Sequence, residues 1–125
     1  MKKVSSTSLW MISLQMYKIA ITEHFKKQLK RLVKKNRDLK EQVKKILLSF
    51  EKQKSIPIGM GIFKLRLKST TKGKSSGYRL YIFILEIEKI LTPICIYSKN
   101  EKENLTKSEL TDHLGQTKSE LEFLL

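Results

Sequence analysis

Three strand-like segments in the second half of the chain constrain the fold more than any other feature. They cover residues 63–67, 78–85 and 90–97, and each is either alternately or continuously apolar, as strands are. Short links join them, including an expected turn at residues 86–89, and strands in such succession pair antiparallel. Pro93 has no N–H to donate to a ladder, so its strand should lie at a sheet edge or carry a bulge.

A short strand and two amphipathic helices precede these segments. Residues 17–21 alternate as a first strand does, and Thr22 is placed to cap the helix that follows. Asp38 and Glu41 have capping-box spacing at the start of a second helix. Because the link between the two helices is short, they should form a hairpin. Their apolar stripes need a partner, and the sheet is the one available.

A loop and a third helix complete the expected elements. Residues 55–61 are rich in turn formers and predict a connecting loop. Thr106 and Glu109 predict a capping box at the start of the third helix, and Gly115 is expected to end it.

The predicted fold class is therefore α+β. An N-terminal strand and a helical hairpin pack on a small antiparallel sheet, and a helix follows toward the C-terminus. We expect residues 1–16 to be a leader of doubtful order, residues 17–114 to form one domain, and residues 115–125 to form a helical tail.

The charge of the chain indicates the kind of partner. Its 125 residues include 26 Lys and Arg against 12 Asp and Glu, which gives a formal charge of +14. Because such repulsion weakens folding, a polyanionic ligand is the economical explanation, and nucleic acid is the commonest polyanion. The alternative is a solvated lysine-rich surface.

Cysteine and apolar content argue against a disulfide-stabilised protein and against a membrane-spanning one. Cys95 is the single cysteine, so no intramolecular disulfide can form, and it is expected in the core. No apolar run reaches the roughly 18–20 residues of a membrane span. His24 and His113 lie far apart in sequence and are expected at the surface or beside the core, not in a metal site. We expect a cytoplasmic protein without a cofactor.

A cationic array on the sheet and its loops is the best candidate for a functional site. Its members are Lys64, Arg66, Lys68, Lys72, Lys74, Arg79 and Lys99. Strand periodicity places Lys64 and Arg66 on one face, which Arg79 joins if Tyr78 points into the core. The alternative is that these residues are merely solvated positions on an exposed strand face.

Such a face suits RNA cleavage. It can bind a phosphodiester and stabilise the added negative charge of a pentacoordinate transition state. The 2′-hydroxyl of RNA is itself the nucleophile, so no metal is required. A lysine among arginines has its charged form disfavoured, and it can then serve as a general base near neutral pH.

Three blocks of this sequence resemble the RelE/HigB toxins of bacterial toxin–antitoxin modules. They are residues 61–67, 72–80 and 96–105, with Gly77-Tyr78-Arg79 at the centre of the second. The resemblance covers about residues 17–114. It implies a RelE-like fold and a metal-independent endoribonuclease that cuts messenger RNA, in most members in the ribosomal A site. It also implies a cognate antitoxin as partner, with no direct contact to DNA outside the antitoxin complex.

The resemblance assigns roles residue by residue. The expected catalytic residues are Lys64, Arg66, Arg79 and Lys99, and the expected RNA-binding residues are Lys68, Lys72, Lys74, Tyr97 and Asn100. In this assignment Lys64 is the base and Arg79 stabilises the phosphate. Lys99 and Asn100 lie where the family places its acid or a further basic contact. RelE itself carries an arginine at the Asn100 position and a tyrosine near Thr106, so the identity of the acid stays open. Tyr97 either stacks on an RNA base or packs on the core.

Two other functions remain as alternatives. ParE-type toxins share the fold and the Tyr78-Arg79 core but inhibit DNA gyrase by protein contact. A basic protein that binds RNA without cutting it is the second alternative. Retention of Lys64, Arg66 and the lysines around them favours the nuclease.

Overall fold

The computed structural model describes residues 8–13, 15–68 and 77–123. Its strands are β1 (Ser8–Ile12), β2 (Lys18–Ile21), β3 (Ile56–Gly59), β4 (Ile62–Lys68), β5 (Gly77–Leu85) and β6 (Ile90–Ser98). Its α-helices are α1 (Glu23–Val33), α2 (Leu39–Leu48) and α3 (Lys107–Leu121). No helix within the described ranges is long and apolar enough to cross a bilayer.

The six strands form one sheet in the order β1-β2-β6-β5-β4-β3. The predicted antiparallel pairing of β4, β5 and β6 is confirmed. The sheet is mixed, however, because β2 pairs parallel with β6. A parallel pair needs a crossover connection, and the helical hairpin begins that connection directly after β2. The α+β class predicted from the sequence is confirmed.

Helices cover both faces of the sheet. The hairpin of α1 and α2 packs on one face, where Phe25, Leu29, Val43 and Leu47 join strand residues in the larger core. Helix α3 packs on the other face and contributes the leucines of a smaller core, Leu110, Leu114 and Leu121. The two faces therefore differ, because Arg66 and Lys68 of β4 stay exposed on the face that α3 covers.

Two strands occur where the sequence predicted none. β1 lies inside the stretch expected to be a leader of doubtful order, and it pairs antiparallel with β2. β3 replaces the first part of the loop expected at residues 55–61, because the adjoining edge of β4 supplies backbone partners. Gly59 and Gly61 have positive φ angles and complete the tight turn between β3 and β4. The division into domains stays a prediction.

The helix caps agree with the sequence at two of three starts. The Thr22 side chain accepts a hydrogen bond from the backbone N–H of Phe25, and Thr106 forms the full capping box. The box predicted at Asp38 is wrong, since its side chain makes no cap hydrogen bond. Asn36 instead stabilises the turn before the helix, since its Oδ1 accepts from the backbone N–H of Asp38 at 3.1 Å.

Helix α3 does not end at Gly115, so that expectation is also wrong. Leu114, Thr117 and Leu121 are buried on one helical face, and this face continues past the glycine. Burial of the last turns outweighs the roughly 1 kcal/mol that glycine costs in a helix interior.

Helix α3 is joined to the start of α1 by polar contacts. The Glu120 carboxylate accepts from the backbone N–H groups of Glu23 and His24 at 2.7 and 2.9 Å. Nε2 of His24 lies 2.7 Å from Nδ1 of His113. Burial is the main cause that lowers the pKa of both histidines below 6.5. The two histidines, expected at the surface or beside the core, therefore form one pair between the helices whose charged forms burial disfavours.

Candidate functional site

Strand register brings Lys64, Arg66, Arg79 and Tyr97 onto one face of the sheet, which Lys68 at the end of β4 also shares. Arg66 on β4 lies directly opposite Arg79 on β5, which in turn lies opposite Tyr97 on β6. Lys64 precedes Arg66 by two residues on β4 and lies opposite Tyr81. Since directly opposed residues share a face, these side chains lie together on the side that α3 covers in part. The predicted placement of Arg79 beside Lys64 and Arg66 is confirmed.

Arg79 is the most unusual residue of this face. The residue is only 7% exposed, yet the Nε atom of its guanidinium has no hydrogen-bond partner. Its ion-pair partner is Glu103, whose Oε2 is 4.0 Å from Nη2 and whose side chain is 75% exposed. A buried guanidinium with one distant, solvated counter-charge is poorly compensated. It is therefore disposed to accept a second anion.

Lys64 is held by the loop between β6 and α3. Its Nζ donates to Oδ1 of Asn104 at 2.6 Å. Glu103 and Asn104 are consecutive, so one short segment contacts both Arg79 and Lys64. Neither loop residue was assigned a role from the sequence, because 40 positions separate Lys64 from Asn104 and no periodicity links them.

The loop itself is braced at both ends. The Glu101 carboxylate accepts from the backbone N–H of Ser98 at 2.9 Å and pairs with Arg31 of α1 at 3.1 Å. Lys102 pairs with Glu109 in the first turn of α3, and this contact holds the pKa of Glu109 at about 2. Contacts of this kind restrict the conformations of the loop, and with them the positions of its side chains relative to the sheet.

Tyr97 packs against a second tyrosine. Its hydroxyl lies 3.3 Å from that of Tyr81, and their rings stack at 6.1 Å between centroids. Burial and then the Tyr81 hydroxyl raise the pKa of Tyr97 above its ordinary 10.0, so the phenol stays protonated. With 5% of the residue exposed, this geometry supports the packing interpretation of Tyr97. A base-stacking role stays a prediction.

The remaining predicted residues are less well placed. Lys68 is exposed at the end of β4 on the same face as Arg66. Lys99 and Asn100 are exposed just after β6, where the backbone N–H of Lys99 donates to the carbonyl of Gly77 at 2.8 Å. Lys72 and Lys74 lie outside the described residues. The structure thus unites Lys64, Arg66, Arg79 and Tyr97, and it leaves the roles of the other residues as predictions.

The thiol on this side of the sheet does not extend the chemistry. Burial raises the pKa of the Cys95 thiol to about 12, so it stays protonated and serves as the core residue predicted. In the ranges that the structure describes, no three His, Cys, Asp or Glu side chains are grouped to hold a metal ion.

A basic α+β domain with paired arginines on an open strand face has the features of a protein that binds a polyanion. The family model of the RelE toxin of the RelE/RelB toxin–antitoxin system matches residues 17–123. The chain therefore belongs to the RelE toxin family and is the toxin of a toxin–antitoxin module, which implies a cognate antitoxin. A search of curated protein sequences gives no match. The matched range runs from β2 through α3 and leaves out β1.

Proposed function

We propose that this toxin is an endoribonuclease that cuts messenger RNA on the ribosome. RelE-family toxins are generally endoribonucleases, which supports the reaction class. The observation that carries the proposal for this chain is the under-compensated Arg79, buried beside Arg66 on the face shared with Lys64. Two guanidinium groups in one row suit the phosphate of a single nucleotide step.

The proposed reaction needs no atom from water or metal. Lys64, in its neutral form, takes the proton of the 2′-hydroxyl, and the 2′-oxygen bonds to the adjacent phosphorus. The bond from phosphorus to the 5′-oxygen breaks, which leaves a 2′,3′-cyclic phosphate and a 5′-hydroxyl. Arg79 and Arg66 stabilise the charge of the pentacoordinate state. An acid, for which Lys99 is the candidate, protonates the leaving 5′-oxygen.

The wider basic surface would track the RNA backbone. Lys68, Lys72, Lys74 and Asn100 are the proposed RNA-binding residues, and Tyr97 is the proposed aromatic contact. The ribosome and its messenger RNA are the proposed partners besides the antitoxin, and the cytoplasm is the proposed location. In this proposal the antitoxin neutralises the basic surface with a complementary acidic segment.

Primer extension on a translated message after brief induction tests the proposal. Wild type is compared with Arg66→Ala, Arg79→Ala and the control Lys40→Ala, an exposed cation on α2. A second message lacks its start codon. We expect cuts in the translated message with wild type and Lys40→Ala, and none with either arginine variant. Thermal melts show whether the buried Arg79 variant still folds.

Other outcomes point elsewhere. Cuts in the untranslated message as well would show a free ribonuclease and remove the ribosome from the proposal. Growth arrest without cuts, retained in both arginine variants, would refute the nuclease and favour inhibition of gyrase. Normal growth without cuts would leave a protein that binds RNA and does not cleave it.

A further inference from the structure

Lys64 has an unusual partner for a candidate base. Its Nζ donates to the amide oxygen of Asn104 at 2.6 Å. Among the residues that the structure describes, no carboxylate lies within 4.0 Å of this amine, although six ion pairs occur elsewhere. Within the described part of the chain, the hydrogen bond that this amine makes is therefore to a neutral acceptor.

The nature of that partner matters for proton transfer. A carboxylate next to an amine favours its charged form, often by 1–3 pKa units at a separation of about 4 Å. An amide oxygen carries only a partial charge, so it fixes the position of the nitrogen with a much smaller preference for the ammonium. A base held in this way has a fixed position without a carboxylate at its side.

The groups around Lys64 on the sheet are cationic or neutral. Arg66 is its neighbour on β4, and Arg79 stands across the strand pair on β5. Tyr81 is directly opposite, and the hydroxyl groups of Tyr81 and Tyr97 face one another. From the segment before β3, Glu51 and Lys54 line the same groove as Lys64, but they form a pair with each other at 3.2 Å. The loop acid Glu103 contacts Arg79.

Asn104 is held in place independently of Lys64. Directly before it, Glu103 contacts Arg79 and Lys102 pairs with Glu109 of α3. Two residues after it, the capping box of Thr106 fixes the start of that helix. Preorganised contacts like these keep a side chain within a narrow range of positions.

We propose that Asn104 is a positioning residue for the cleavage reaction, which holds Nζ of Lys64 through a neutral acceptor beside the two arginines. The inference rests on the proposed function, in which Lys64 is the base. It assigns a role to a residue outside the strands that carry the site. It also explains why the partner of Lys64 is an amide, where the usual partner of a lysine is a carboxylate.

The test is the pH dependence of single-turnover cleavage on ribosomes programmed with a defined message. The variants are Asn104→Asp, Asn104→Ala and Lys64→Ala, with Gln116→Glu on the exposed side of α3 as a control for added negative charge. Asn104→Asp should lower the rate near neutral pH about tenfold or more and move the rising limb of the profile to higher pH by about one unit. Asn104→Ala should lower the rate at every pH without moving the limb.

The outcomes separate this inference from the function on which it rests. Lys64→Ala with full activity would remove the base from the proposed mechanism and, with it, any role for Asn104. Loss of activity in Lys64→Ala together with a wild-type profile in Asn104→Asp would overturn the positioning role alone. A shifted limb in Gln116→Glu as large as that in Asn104→Asp would reduce the effect to long-range charge. Melting temperatures within a few degrees of wild type show that the variants are folded.

Discussion

Replacing Gly115 by alanine tests whether α3 continues past this residue. Gly115 is exposed within α3, and a Cβ added there meets no atom within 4 Å. Alanine in a helix interior is favoured over glycine by about 0.8–1 kcal/mol, largely because the unfolded glycine has more conformations to lose. With nothing to clash, the full gain should appear. For a chain of this size, about 1 kcal/mol corresponds to a rise in Tm of roughly 3–5 °C.

The assay is chemical and thermal unfolding followed by circular dichroism, with Gly77→Ala as the contrasting variant. A Cβ on Gly77 would lie 2.6 Å from the carbonyl oxygen of Leu67, so this change should destabilise the protein. If Gly115 ended the helix in a left-handed conformation, alanine there would be strained. A fall in stability for Gly115→Ala would therefore refute the continuous helix and the placement of Glu120 against α1.

Three further predictions follow from contacts around α3 and the site. Burial lowers the pKa of His24 and His113, so their contribution to stability is complete above pH 6.5 and is lost as the pH falls below it. Urea unfolding at pH about 7.5 and about 5 should show a smaller loss of stability in His24→Gln than in wild type, and an equal loss would contradict the lowered pKa of His24. Glu103→Gln should bind a 2′-O-methyl RNA several-fold more tightly by fluorescence anisotropy, because the carboxylate no longer competes for Arg79; weaker binding would show that Glu103 assists the ligand. Thr106→Ala should lower the free energy of unfolding by about 1 kcal/mol through loss of the capping box, and no change in a urea melt would mean that the cap is dispensable.

The alternating pattern of β4 was sufficient to predict the part of the site that lies on this strand. Alternation of apolar and basic residues fixes which side chains of a strand share a face, and the structure keeps Lys64 and Arg66 on the side opposite Leu65. The contact of Asn104 with Lys64 could not be predicted in this way. It depends on the path of a loop that returns across the sheet, and no period in the sequence encodes that path.

The edge strand β3 could not be predicted from the sequence either. Ile56-Pro57-Ile58-Gly59 combines a proline and a glycine in four residues, and both favour turns when considered locally. The segment becomes a strand because β4 offers it a ladder, with Ile56 opposite Lys64 and Pro57 opposite Phe63. Proline is tolerated there because β3 is the edge strand of the sheet.

Pro93 had two possible explanations in the sequence, an edge strand or a bulge, and only the sheet order decides between them. β6 lies between β2 and β5, so it is an interior strand. Pro93 is opposite Ile82 while Cys95 is opposite Tyr81, and Ile94 is therefore the extra residue of a bulge. The proline removes one backbone donor at the point where the ladder is already interrupted.

This bulge determines which side chain of β6 stands beside Arg79. Before it, Thr92 lies opposite Phe83 and shares the face that α3 covers, so even-numbered residues of β6 point to that side. After it, Tyr97 lies opposite Arg79, and odd-numbered residues point there instead. Without the extra residue the alternation would continue, and Tyr97 would turn toward the helical hairpin. The extra residue Ile94, which follows the proline that made the strand difficult to predict, thus places the tyrosine in the candidate site.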